Sequence, residues 1–211
     1  MSRRAFEKTG STYTRLRRKR IYEIPHLLYP NSLGGSIPSL PPAGSRSVGF
    51  FGSGRGYKGL HNLLDAFDSL PPSYRLRVVV NSGSEALRRH LVQVRESDPR
   101  IDVDFEFLSH ADLEKVIRDV DLIVLPFDRI LNSGSVIQTL SLGRPVLVPS
   151  TVTFEEIGRR TGDGWVNTYS GPLRAGDIEV ALTRRRDPLD LAWCADETLH
   201  DAVVEMLTHL P

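Results

Sequence analysis

The sequence contains one cysteine in 211 residues, and its charged side chains nearly balance, leaving a formal net charge of +1. A lone cysteine excludes a disulfide framework, and the balanced charge gives no overall case for nucleic acid as a partner. No apolar run approaches the roughly 20 residues that a helix needs to span a bilayer. Residues Met1–Arg4 are not followed by an apolar segment, so no secretory signal is expected. These absences predict a cytoplasmic protein in a reducing setting.

Side chains that bind metals are present but are not grouped along the sequence. The histidines show no ligand spacing with cysteine or carboxylate, so no metal site is expected. They are His26, His61, His90, His110, His200 and His209. Cys194 lies in a C-terminal helical pattern, where a structural thiol is favoured over a nucleophile.

Residues 1–46 lack the pattern of a packed domain. Arg15–Arg20 is a basic block, and Pro30–Gly44 is rich in proline, glycine and serine. Such composition favours a solvated tail, with weak contact between the basic block and an anionic membrane surface as the alternative. The short alternating segment Ile21–His26 is read as an edge strand that ends at a proline.

From Ser47 onward, strand-length apolar runs alternate with helical patterns. The runs are Val48–Phe51, Leu76–Val80, Ile101–Phe105, Leu122–Leu125 and Val146–Val148; the helical patterns are Gly59–Leu70, Ser84–Glu96, Ala111–Arg118 and Ser135–Leu142. Near-continuous apolar runs indicate strands buried on both faces, as in a parallel sheet. The alternation therefore predicts a doubly wound, Rossmann-like α/β domain over residues 47–211. Trp165-Val166 is expected to add a short strand, and 176–184 and 189–210 read as C-terminal helices.

A glycine-rich turn, Gly52–Gly59, joins the first predicted strand to the first predicted helix. Its glycines allow the backbone to approach a ligand closely, and the helix that follows points free N–H groups toward it. Arg55 and Lys58 add two cations, which suits a diphosphate better than a neutral ligand. A tight strand-to-helix turn without a ligand is the alternative, since the spacing matches neither common nucleotide-binding motif.

A second polar turn, Asn132-Ser133-Gly134-Ser135, follows the predicted strand Leu122–Leu125 and precedes a helix. Its side chains are typical N-caps, and its backbone N–H groups are able to hold an anion. Plain capping is the alternative. Ligands of doubly wound sheets bind at the carboxyl ends of the strands, so we expect the two turns to bracket a pyrophosphate.

Three motifs together resemble the C-terminal, nucleotide-sugar-binding domain of GT-B glycosyltransferases, most closely the retaining family 4. They are Gly52-x5-Lys58-Gly59, Asp121–Pro126 and Ser141–Val146. A bacterial exopolysaccharide-type subgroup is similar also at Arg55–Lys58, Asn132–Ser135 and Trp165-Val166, and Ile24-Pro25-His26 resembles the segment that links the two GT-B domains. The resemblance covers about residues 21–211.

The resemblance implies a site for a nucleotide-diphosphate sugar, which is a donor substrate and not a cofactor. Lys58 and Arg55 would hold the diphosphate, the Ser133 and Gly134 amides would cap a phosphate, and Gln138 stands where many members bind the ribose hydroxyls through a carboxylate. The implied binding residues are Gly52, Arg55, Lys58, Asn132, Ser133, Gly134, Ser135 and Gln138. No catalytic residue is identified.

The sequence also departs from the family pattern. Ser53 stands where members usually have an arginine, and Ile130 and Gln138 stand at the positions of a paired-glutamate motif. Only about 46 residues precede the sheet, too few for an acceptor domain. The expectation is therefore a donor half that transfers no sugar without an acceptor domain or partner subunit.

Two other functions remain open. A degenerate, non-catalytic nucleotide-binding or partner module is favoured by the departures. An NAD-dependent oxidoreductase is the less favoured, because Val80 is followed by Asn81-Ser82-Gly83 and not by an acidic ribose partner.

Overall fold

A computed structural model of the chain describes residues 26–29, 46–55, 58–105, 108–128 and 134–208, without the side chains of 196 and 197. The strands are β1 (Ser47–Gly52), β2 (Arg75–Val80), β3 (Ile101–Asp104), β4 (Leu122–Val124), β5 (Val146–Pro149) and β6 (Val166–Tyr169). The helices are α1 (Leu60–Asp68), α2 (Glu85–Ser97), α3 (His110–Arg118), α4 (Gly134–Ser141), α5 (Val152–Thr161), α6 (Ala175–Thr183) and α7 (Asp196–Thr208), with a 3₁₀ turn at Ala192–Cys194.

The strands form one parallel sheet in the order β3-β2-β1-β4-β5-β6. The chain starts in the middle, builds outward to β3, and then crosses to β4 on the other side of β1. That reversal between β1 and β4 opens a crevice at the carboxyl ends of the two strands. The doubly wound α/β fold predicted from the alternating runs is confirmed.

The core lies on both faces of the sheet. One apolar cluster contains Leu76 and Val78 of β2 together with side chains of α1, α2 and α6. The other contains Val79 of the same strand together with side chains of α3, α4 and α5. Neighbouring residues of a strand point to opposite faces, so strands buried on both sides need the continuous apolar runs seen in the sequence.

Several helices begin at a capping hydroxyl. Ser84 accepts a hydrogen bond from the Leu87 amide at 3.2 Å, Ser109 from Asp112 at 3.1 Å, and Thr151 from Phe154 at 3.2 Å. Each cap satisfies an N–H group that has no acceptor within its own helix, and is worth about 1 kcal/mol.

The C-terminal segment differs from the prediction of a single helix over residues 189–210. Leu191 and Trp193 pack against the second core cluster, and the chain turns through the 3₁₀ segment before α7 begins at Asp196. Ala195 is extended, with φ −72° and ψ 159°, which separates the two helical pieces. Cys194 is 1% exposed, and burial raises the pKa of its thiol to about 11, as suits a structural thiol.

Much of the predicted N-terminal tail lies outside the described residues. The basic block Arg15–Arg20 and most of the segment Ile21–His26 fall there, so membrane contact, the edge strand and the boundary at residue 46 stay predictions. Residues 26–29 are described and pack against the domain. Within the described chain, no helix has the length and apolarity needed to cross a bilayer.

Candidate functional site

The crevice between β1 and β4 is closed at its base by a contact between two loops. Gly59 has φ 67°, and a β-carbon on it would collide with the carbonyl oxygen of Pro126. The backbone of the glycine-rich turn therefore lies directly on the loop that leaves β4. A left-handed φ and a missing side chain are both needed here, which only glycine supplies without strain.

Lys58 lies in this crevice. Its Cε and Nζ atoms are 3.8 and 4.0 Å from the position that a β-carbon on Gly52 would occupy. Its Nζ is 4.5 Å from the centroid of the Phe127 ring. The ammonium group thus lies between the end of β1 and a phenylalanine three positions beyond β4, where the topology opens the sheet to a ligand.

Arg55 opens the turn that leads to Lys58. Its carbonyl oxygen accepts a hydrogen bond from the Lys58 amide at 2.9 Å, and the residue is exposed beyond the strand end. Residues 56–57 of this turn lie outside the described chain. A second tie joins the two loops, since the Asn62 side chain on α1 donates to the Asp128 carboxylate at 3.2 Å.

The glycine-rich turn also packs against the loop between β2 and α2. The Gly54 amide donates to the Ser82 carbonyl at 2.5 Å, and a β-carbon on Gly54 would collide with Leu87. A cavity of about 150 Å³ opens beside this contact, lined in part by Asn81 and Phe105. The guanidinium of Arg88 lies over the Phe105 ring at 4.9 Å. The contacts of Gly54 with Ser82 and Leu87 hold the glycine-rich turn on the side that faces β2.

The start of α4 is covered by a segment from well before the sheet. A β-carbon on Gly134 would lie 2.5 Å from the Tyr29 hydroxyl and 3.2 Å from His26 Nε2. The Tyr29 amide donates to Ser141 Oγ at 3.1 Å, at the other end of the same helix. The His26 and Tyr29 rings are stacked with centroids 5.6 Å apart. Residues 26–29 therefore run along α4 and place two polar side chains at its first residue.

Gln138 lies one turn beyond Gly134 on α4 and is buried, with 8% of its surface exposed. Ser135, in the first turn, is half-buried. Asn132 and Ser133, the other two residues of the predicted polar turn, lie outside the described residues. Because α4 follows β4 in the chain, the first turn of α4, with Ser135, lies at the carboxyl edge of the sheet, as does Lys58.

The comparisons with known proteins agree with this architecture. No protein-family model matches the chain. The chain is 34% identical over 137 residues to the GDP-mannose:glycolipid 4-beta-D-mannosyltransferase of Xanthomonas campestris pv. campestris, a match that covers 64% of this chain and 39% of that protein. The chain is therefore similar in sequence to this glycosyltransferase, and its doubly wound fold is that of one half of the GT-B glycosyltransferases. The subgroup expected from the sequence stays a prediction.

Solved structures support the GT-B fold at low sequence identity. Anabaena HepE, in complex with UDP and glucose, has a TM-score of 0.56 and 16% identity, over 100% of this chain and 53% of HepE. Sucrose-phosphate synthase from Thermosynechococcus elongatus has a TM-score of 0.61 and 20% identity, over 87% of this chain and 47% of the synthase. The chain thus spans about half the length of these proteins, and less than half of the mannosyltransferase.

A groove larger than the cavity beside Gly54 lies elsewhere in the domain. It has a volume of about 620 Å³ and lies between α3 and an open face of β2 and β3, toward the amino ends of the strands. Arg77 in this groove is paired with Asp102 and, at 3.4 Å, with Asp104. Lys58 lies instead at the carboxyl ends of β1 and β4, where doubly wound sheets bind their ligands, and its position favours that crevice over the groove.

Some residues of the crevice were not singled out from the sequence. Phe127, under the Lys58 ammonium, reads in the sequence as one more apolar residue after a strand. Tyr29 and His26 both lie against the first residue of α4, but they belong to a segment whose sequence shows no hydrophobic periodicity. Their positions depend on contacts between distant parts of the chain, which local patterns do not report. Within the described residues, no three histidine, cysteine or acidic side chains are grouped to hold a metal.

Proposed function

We propose that this GT-B domain binds the diphosphate of a nucleotide sugar in the crevice between β1 and β4. The observation that carries the proposal is the Lys58 ammonium, held between Gly52 and Phe127 at the topological switch point. An ammonium group there meets the phosphates of a ligand bound at the carboxyl edge of the sheet. Charge-assisted contacts to phosphate are about twice as strong as neutral hydrogen bonds.

The start of α4 would supply the second contact to the diphosphate. Amides at Gly134 and Ser135 belong to the first turn, where N–H groups lack acceptors within the helix and the dipole favours an anion. Asn132 and Ser133 complete the proposed turn. Arg55, exposed at the rim, would add a second cation, and Gln138 would donate to or accept from a ribose hydroxyl.

These contacts would act on the leaving group of a glycosyl transfer. Breaking the bond between sugar and phosphate leaves negative charge on the diphosphate, and fixed positive groups stabilise that charge as it develops. GDP is the first nucleotide to test, because the curated relative is named for GDP-mannose. UDP is the second, because HepE was solved with UDP. The proposed acceptor is a glycan or lipid-linked sugar.

Sugar transfer would also need a wall that holds the acceptor. Positioning of two reactants is able to supply about 7–11 kcal/mol of a barrier, and that contribution is lost when one reactant is free in solution. The described domain offers one side of an open edge, so we propose that it transfers no sugar by itself. An acceptor domain, on the same polypeptide or on a partner subunit, would complete the cleft.

A non-catalytic nucleotide-binding module is the second candidate. Ser53 favours it, because an uncharged side chain stands where the family usually places a cation beside the phosphates. Both candidates bind a nucleoside diphosphate, and only the first supports transfer when an acceptor domain is supplied. Radiolabelled sugar transfer from GDP-mannose, measured with and without a complementing acceptor domain, separates them.

Calorimetric titration tests the binding that both candidates share. GDP, UDP and ADP are titrated separately into the chain, whose folded state is checked by circular dichroism. We expect weak binding of at least one of them, weakening further as salt is raised because the contacts are between charges. A folded chain that gives no binding heat with any of the three contradicts the proposed function.

A further inference from the structure

We propose that Phe127 is a positioning residue for Lys58: its ring face holds the ammonium group at the place where the diphosphate binds. This inference rests on the proposed function, since it concerns the same ligand. It adds a residue that neither the sequence motifs nor the comparisons with known proteins assign. Phe127 would touch the lysine and not the ligand.

The Phe127 ring is itself fixed. It is 3% exposed, and its centroid is 6.2 Å from that of Phe154, with the two rings inclined by 29°. The Phe127 amide donates to the Leu125 carbonyl at 2.9 Å, closing a three-residue turn around Pro126. The fixed φ of proline suits the centre of such a turn. The ring is therefore set by strand β4, the turn and the core beneath it.

Lys58 is constrained from the other direction. Gly59, the residue after Lys58, lies against the carbonyl of Pro126, the residue before Phe127. This contact holds the backbones of Lys58 and Phe127 close to each other. The lysine stem passes Gly52, and its Nζ is 4.5 Å from the ring centroid. A cation at this distance is attracted by the negative face of an aromatic ring.

A ring face differs from a carboxylate as a support for a lysine that binds phosphate. A carboxylate would bring a negative charge beside the ammonium, whereas a ring carries no formal charge and orients the cation through its electron-rich face. A free lysine side chain also loses rotamer freedom when it binds. A lysine already held in place loses less, so the ring would increase affinity through preorganisation.

The same kind of contact occurs elsewhere in the domain and provides a control. The Arg100 guanidinium lies 4.9 Å from the centroid of Phe67, which is fully buried in the other core cluster. Phe67→Leu therefore removes an equal buried ring and a similar cation–ring contact away from the crevice. A loss of affinity that comes from general destabilisation would follow either substitution, whereas a positioning effect follows only Phe127→Leu.

The first measurement needs no ligand. The lysines of the chain are Lys8, Lys19, Lys58 and Lys115, so a sample labelled with ¹³C-lysine gives few ε-methylene signals, and Lys58→Arg identifies one of them. A methylene next to the face of a ring is shifted upfield by the ring current. We expect the Lys58 signal upfield of the Lys115 signal in the wild-type chain, and unshifted in Phe127→Leu. An unshifted Lys58 signal in the wild type overturns the contact.

The second measurement is GDP affinity by calorimetry. We expect Phe127→Leu to weaken GDP binding by about fivefold, the size of a partly desolvated cation–ring contact. Phe127→Tyr keeps a ring face and should restore most of the affinity, and Phe67→Leu should leave it unchanged. In a Lys58→Ala background, Phe127→Leu should cause no further loss, because the residue it positions is gone.

The outcomes separate the two claims. A folded wild-type chain that binds none of GDP, UDP and ADP overturns the proposed function, whatever the Lys58 signal shows. A chain that binds GDP but loses the same affinity through Phe127→Leu in both backgrounds overturns the positioning role and leaves the proposed function standing. Loss only in the presence of Lys58, with rescue by tyrosine, supports both.

Discussion

Gly59 lies with its backbone against the carbonyl oxygen of Pro126, so no side chain fits between the two loops. The contact joins the turn after β1 to the turn after β4, the two strands between which the order of the sheet reverses. Lys58 and Phe127 are the immediate neighbours of these residues, and their contact depends on it. The geometry of the crevice is thus set by a glycine that touches no proposed ligand.

Gly59→Ala should lower the free energy of unfolding by about 2–5 kcal/mol, from left-handed strain together with the collision at Pro126. Gly171→Ala is the matched control, because Gly171 has φ 76° but nothing within 4 Å of an added β-carbon. That control should lose only about 1–2 kcal/mol. Urea unfolding followed by circular dichroism measures both. If both variants lose the same free energy of unfolding, the contact between residue 59 and the Pro126 carbonyl adds nothing to the cost of the left-handed φ, and the prediction is wrong.

Lys58→Ala should weaken binding of a nucleoside diphosphate by about 1.5–3 kcal/mol, the usual value of a hydrogen bond to a charged group. Lys115→Ala is the control, because Lys115 is an exposed lysine on α3 whose ammonium pairs with Asp112 at 3.0 Å. Its loss should not change affinity. If calorimetry gives the same dissociation constant for the wild type and Lys58→Ala, the Lys58 ammonium does not meet the phosphates.

Gly134→Ala should destabilise the packing of residues 26–29 on α4, because the new methyl group meets the Tyr29 hydroxyl and His26 Nε2. We expect a loss of about 1–3 kcal/mol, as for an overpacked contact. Tyr29→Ala removes one obstacle, so the double variant should lose less than the sum of the single losses. Urea unfolding of the four proteins gives this cycle. Strictly additive losses would mean that Tyr29 does not cover Gly134 in solution.

Stability should fall at alkaline pH in part through Cys194. Burial raises the pKa of its thiol from 9.0 to about 11, so the folded chain keeps the proton over a range in which the unfolded chain releases it. The free energy of unfolding is therefore unaffected by this group below about pH 9 and declines between about pH 9 and 11, by about 2–3 kcal/mol in all.

Cys194→Ala tests this pH dependence, because the variant should show a shallower decline in unfolding free energy over the same range. Tyr169, whose pKa burial raises to about 12, contributes a decline at higher pH that both proteins share. Identical slopes for wild type and variant would show that the thiol titrates alike in the folded and unfolded chains.

The strands were predictable because a buried parallel strand needs apolar residues on both faces, which leaves a continuous signal such as Leu122–Leu125. The alternation of strands and helices indicated a parallel, doubly wound sheet, whereas the order of its strands came from the structure alone. The C-terminal helix was placed too early, since Leu191 and Trp193 pack on the core as an irregular segment. Apolar residues that pack on the core from an irregular segment cannot be told by composition alone from the first apolar residues of a helix.

The crevice was predictable in part. Gly52 and Lys58 were singled out because a glycine and a lysine beside a strand end have few structural uses; the structure places both at the end of β1, and their role in binding stays a prediction. Phe127 and Tyr29 were not singled out because each contacts a residue far away in the sequence, and no local pattern marks such a contact. Arg55 and Gln138 are placed on the expected edge, and their roles stay predictions until a ligand is bound.

Amide chemical-shift mapping with GDP tests the central claim most directly. The account predicts that GDP shifts the amide signals of Gly52, Lys58, Gly59, Ser135 and Gln138, and that Lys58→Ala reduces these shifts at the same GDP concentration. Signals in the groove lined by Arg75, Arg77 and Arg100 should not move. Shifts confined to that groove, or no shifts in a folded chain with GDP, UDP or ADP at millimolar concentration, would contradict a donor-nucleotide site between β1 and β4.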